Sequence, residues 1–243
     1  LAIDGAALSL GWTAYPTYAG RGYDWVEPAI GVGPTLTCAG DVCLTNGGQL
    51  HVYAGLAHPS AGPGYGALVA VGGTVTTHSN SWIFPVCHPT NGAAPLFRLN
   101  HLTLNPGGGF NAEDRGFAGA NRVIGSDGAL PAYGPGASTS AWNAGSGHGG
   151  AGAGTGGGPT YGSFNAPILP GSGSRCSGNA SGLFHAPFGG GSVQVIAQGA
   201  VTVRGDILAG VNKGINDYET FYRGPGASGG SIGASPRSCS AMS

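Results

Sequence analysis

The chain has 243 residues, of which 51 are glycine and 17 proline; only 8% are charged, and the formal net charge is -1. Ordinary soluble domains carry about 25% charge and about 7% glycine, so composition alone points to low complexity. The 41% of hydrophobic residues gather into alternating runs that a disordered chain lacks. A single lysine, Lys213, leaves no basic patch for nucleic acid and no polybasic arm for a membrane, and no run approaches the roughly 20 apolar residues of a membrane-spanning helix.

In chain order, LAIDGAALSL alternates apolar with small or polar residues and reads as a strand without a local partner. It is expected to pair outside its own fold, burying Leu1, Ile3, Leu8 and Leu10 against a further copy. The competing reading folds it back onto the runs between residues 35 and 77. Next comes an irregular segment with Trp12, Tyr15, Tyr18, Tyr23 and Trp25. Such rings can form a sugar-stacking platform, or they can cap an apolar core.

TLTC, VCLT, QLHVYAG and ALVAVGGTVTT follow as short β-like runs, with Asn46-Gly47 the best hairpin signal among the breaks. Cys38 and Cys43 flank one tight break, so a bridge between them is expected, and with it an oxidising compartment. Cys87, Cys176 and Cys239 lie at long spacings with no zinc pattern. Further strands are expected at residues 96–99 and 102–104, before the polar segment carrying Glu113 and Asp114. Adjacent acids on a strand face opposite ways, so a solvated turn suits them better than a paired carboxylate site.

From Gly145 to Ile232 glycine-dense stretches bracket the alternating residues Val193, Val195, Val201, Val203 and Ile207. This is how short strands stacked in rungs read, so a parallel β-solenoid is expected, with those five side chains in a narrow core. The division expected is an N-terminal short-strand and aromatic region at 1–69 and a glycine-rich β-helix at 70–243, with one continuous domain as the alternative.

SWIFPVCHPTNGAAPLFRLNHLTLNPGGGFNA followed by GFAG, GHGG, YGS, LPGSG, GGGSVQV and SGGSI resembles a glycine-rich β-helical module of large secreted or surface-anchored, autotransporter-like microbial proteins. The resemblance covers about residues 70 to 232 and rests on the order of many weak motifs. It implies an extracellular right-handed β-helix and no particular activity. Such modules continue past GGSI, whereas GASPRSCSAMS follows it here, so the last rung is expected to lack its neighbour.

His148 in GSGHGG could expose an imidazole to a ligand; its competing role is to hydrogen-bond backbone in a glycine turn. Arg204-Gly205-Asp206 spells an adhesion tripeptide but follows VTV, and so belongs to a rung or its corner. Asn179-Ala180-Ser181 is a possible glycosylation sequon. No cofactor, metal or enzymatic role is expected. The reading is a structural subunit of an extracellular fibre or cell-surface layer whose partner is itself. A start at Leu1 without a charged n-region suits a processed, exported chain, and its low charge favours association. Alternatives are a carbohydrate-binding adhesive module with glycan partners and a β-helical polysaccharide-degrading enzyme.

Overall fold

A computed structural model describes residues 1–11, 31–120, 132–139, 144–175, 186–211 and 226–236. Among them there is no helix, and every strand pairing is parallel. One sheet holds β1 (Ala2–Asp4), β3 (Thr35–Cys38), β4 (Val42–Thr45), β6 (Tyr65–Thr77), β8 (Ala94–Leu104), β10 (Ser192–Ala197), β11 (Val201–Val203) and β13 (Ser231–Pro236). The second holds β2 (Ala7–Leu10), β5 (Gln49–Tyr53), β7 (Trp82–Val86), β9 (Gly109–Asn111) and β12 (Asp206–Leu208).

The chain repeats one circuit: along the first sheet, across to the second, and back to the first one strand further on. The first sheet has two columns. β6 and β8 run through both, with a register shift between Val71 and Thr74, where Asp41 Oδ1 accepts the Thr74 amide at 2.7 Å. Elsewhere the chain breaks at that bend, giving β3 then β4 and β10 then β11.

Alternation puts one face of each strand inward. Ile3, Leu44 and Leu104 line the inner face of the first sheet; Leu50, Ile83 and Phe110 stack opposite on the second, all buried in one apolar cluster. Each large side chain so buried contributes roughly 1.5–3 kcal/mol relative to exposure. β6 spans residues 65–77 and carries the stack across position 69.

The expected spine is displaced. Residues 144–175 hold no strand, and the stacked strands lie mostly before residue 112. The glycine-rich segments instead form a bundle held by backbone bonds. Gly116, Phe117 and Ala118 donate in turn to Gly189, Gly171 and Pro89; Gly189, Gly190 and Gly191 donate to Phe117, Ser228 and Ala112; Gly145, Ser146 and Gly147 donate to Ala153, Gly226 and Gly136. Three successive donors reaching three different neighbours is the pattern of an extended chain with three residues per turn, whereas a β-strand alternates between two. A Cβ on Gly189 would strike the carbonyl of Gly171, and one on Gly158 that of Gly136. These glycines therefore serve close backbone approach.

Three further expectations are corrected. The N-terminal strand pairs within its own chain, β1 with β4 and β2 with β5. Ile3 is buried in the chain's own core, against which Leu8 and Leu10 pack. Asn46 and Gly47 take left-handed φ values of 52° and 82°, yet they turn the chain from one sheet to the other and make no hairpin. Cys38 and Cys43 remain separate thiols. Both strands run the same way along β6, with Cys38 opposite Val71 and Cys43 opposite Thr76, one on each side of the bend where β6 shifts register, and the Cys38 thiol turns to the carbonyls of Gly40 and Asp41. Cys38 also packs against the core, whereas Cys43 alternates with the buried Val42 and Leu44 and so faces outward.

Candidate functional site

The two ends of the stack are the surfaces where the regular ladder stops. At the first end β1 and β2 pair on one side only, and at the other end so do β11, β12 and β13 among the described residues. At this second end side chains on the inward register face solvent. Val201 is 39% exposed and Val203 48%, although each stands opposite a buried leucine of β8, Leu102 and Leu104. Ile232, opposite the buried Val193, is 47% exposed. Of the five expected core residues, Val193 and Val195 are buried and Ile207 packs against the core; Val201 and Val203 are corrected to exposed, because no described strand lies over them. At the first end Leu1 is 48% exposed.

Each end carries a charge at the corner between the sheets. Asp4 follows Ile3, its Oδ1 accepting from Thr45 Oγ1 at 2.9 Å and from Asn46 Nδ2 at 2.6 Å. Arg204 follows Val203, and its amide donates to Leu104 O at 2.8 Å. The Arg204-Gly205-Asp206 tripeptide is thus a corner, as its place after VTV implies. A Cβ on Gly205 would collide with the carbonyl of Gly108 beneath it.

His148 lies in the glycine bundle. Its Nδ1 donates to Gly229 O at 2.8 Å, and its ring tilts against Tyr161 with centroids 4.7 Å apart. This is the backbone-bonding role. Desolvation lowers its pKa, opposed by the Gly229 bond. Its Nε2 stands 3.5 Å from Ser231 Oγ, which donates instead to Leu169 O at 2.7 Å, so that hydroxyl is not poised as a nucleophile. Beside it Tyr161 donates to Pro170 O and accepts from Ser172 Oγ at 2.9 Å; burial pushes its phenol up to about 12. Glu113 and Asp114 occupy a turn, Asp114 with φ 54°, and Arg115 Nη1 donates to Glu113 O at 2.6 Å.

One cluster escaped sequence reasoning. On the outer face of the second sheet His51 stacks on Phe84 with centroids 4.5 Å apart and planes at 18°, and Arg115 lies over the Phe84 ring at 4.7 Å. The signal was available in the parallel register of QLHVY with WIFPV. Phe84 is thus flanked by the imidazole and the guanidinium, so the stack braces neighbouring strands and does not offer that ring to a sugar. Trp12, Tyr15, Tyr18, Trp25, Asn179, Cys176 and Cys239 lie outside the described residues. Among the described residues no group of three His, Cys, Asp or Glu is placed to hold a metal, and no helix is long and apolar enough to cross a membrane. Compared with family models, curated proteins and solved structures, the chain matches none of them.

Proposed function

We propose that the chain is a right-handed parallel β-helix and a structural subunit of an extracellular fibre or cell-surface layer, assembling with copies of itself through strand edges. The observation that carries this is that both sheets end, at both ends of the stack, in strands running the same direction with one side unpaired among the described residues. An unpaired strand edge is a template for another chain's strand. The right-handed sense follows the general rule for parallel crossovers. A chain with 8% charged residues and a net charge of -1 repels its copies weakly. The extracellular setting rests on the resemblance of residues 70–232 to surface-protein modules.

The test is electron microscopy and sedimentation of the full chain, purified without a tag, over a range of concentrations. Filaments or sheets whose mass grows with concentration are expected. A single monomeric species throughout would sink the proposal.

A further inference from the structure

The geometry points to a specific form of that assembly, and the inference rests on that reading: the two ends match in register, apolar pattern and charge, so that a second copy docks head to tail with its β1 on β11, its β2 on β12 and its β3 on β13.

The register supports this side chain by side chain. Ile3 stands opposite Leu44, and the same row contains Thr77, Leu104 and Val203; one step further, Ile3 of the next copy lies on the exposed Val203. One row over, Val42, Val75, Leu102 and Val201 align, so Leu1 of the next copy covers Val201. Leu8, Leu50, Ile83, Phe110 and Ile207 form a row of the second sheet, so Leu8 of the next copy follows Ile207. The exposed Leu1 and Val201 thereby cover one another, and the exposed Val203 comes to lie beside Ile3, which its own chain already buries. The corner row begins with Asp4 opposite Thr45 and, one residue beyond Val203, reaches Arg204. Stacking sets the guanidinium of one copy beside the carboxylate of the next. A two-fold contact between like ends would oppose Arg204 to Arg204 and reverse the strands. The head-to-tail contact is instead heterologous and non-closing, which yields a filament.

The experiment uses the full chain in three charge variants and one cross-link. Asp4→Arg alone and Arg204→Asp alone set like charges at the contact and are expected to raise the concentration needed for assembly by about tenfold, while the double variant, with the pair swapped, returns close to the unaltered chain. In a mixture of Asp4→Cys and Arg204→Cys chains, oxidation is expected to join residue 4 of one chain to residue 204 of another, identified by peptide mass spectrometry. Polymers that ignore both charge changes and give no such link would overturn this contact and leave self-assembly standing. An unaltered chain that never polymerises overturns both. Hydrogen exchange that finds β11 and β12 equally protected in monomer and polymer would also overturn the contact, because that edge would then be covered within a single chain.

Discussion

Phe97 of β8 meets Phe110 of β9 edge to face across the space between the two sheets, with ring centroids 5.1 Å apart and planes at 81°. Both rings are buried, and this pair closes the core within one circuit. Phe110→Ala is expected to cost about 3–5 kcal/mol through lost burial and the cavity left behind. Phe164→Ser, at a fully exposed phenylalanine, is expected to change stability by less than about 0.5 kcal/mol. Urea unfolding of the two variants measures the contrast, and equal effects would contradict the core assignment.

In the glycine bundle, position decides what a methyl group does. Gly189→Ala drives a Cβ into the Gly171 carbonyl and is expected to destabilise by about 3 kcal/mol. At Gly149 nothing lies within 4 Å of the same methyl, so Gly149→Ala is expected to be close to neutral. Thermal unfolding of the pair separates a bundle built on backbone contact from a merely flexible glycine tract, in which both changes would be tolerated.

His148 and His51 both have pKa values lowered in the fold, each first by desolvation, with Arg115 adding to the effect at His51. The unfolded chain titrates near 6.5, so below that pH it binds protons the folded chain refuses, and stability falls with pH. The contribution is complete above about pH 7.5 and is lost as pH drops from 6.5 towards the lowered folded values. Melting temperature is therefore expected to decline between pH 7.5 and 5, and to decline less in the variant carrying His148→Asn and His51→Gln. An identical decline in both chains would contradict the assignment.

The thiol of Cys87 is buried, accepts the Ser192 amide at 3.3 Å and is pushed up to about 12 by burial. Since the thiolate is the nucleophile, Cys87 is expected to resist alkylation at pH 8 until denaturant unfolds the chain. Cys38 and Cys43, each partly exposed, are expected to react in the native state. Mass mapping of labelled peptides reads both, and early labelling of Cys87 would place it outside the core.

Much of the strand content was legible, because TLTC, VCLT and QLHVY carry their alternation locally and each forms a strand. Partners were not. Asn46-Gly47 specifies left-handed backbone but not whether the following strand returns beside the preceding one, and the same misreading placed a bridge between Cys38 and Cys43. Val201 and Val203 alternate just as Val193 and Val195 do; what exposes them is a place at the end of the stack, which no local pattern encodes. Glycine density in residues 144–175 was equally silent on whether those segments turn or lie side by side, since both need the missing Cβ.

The eighty residues between β9 and β10 impose an order on folding. Pairings within residues 2–111 join positions 27 to 42 apart, as with Ile83 and Phe110 or Ala7 and Gln49, whereas Phe97 meets Val195 and Phe110 meets Ile207 across 98 and 97 residues. Closing the longer loop costs only about 1 kcal/mol more, because the penalty grows with the logarithm of length. Its effect on rate is larger, since non-local contacts form late. The first four strands of the second sheet and their partners can assemble as a nucleus, while β10, β11 and β12 wait for the bundle to deliver them. During synthesis the amino-terminal stack would thus stand complete, with the β8 edge open, until roughly the last fifth of the sequence, from Ser192 on, arrives to close it.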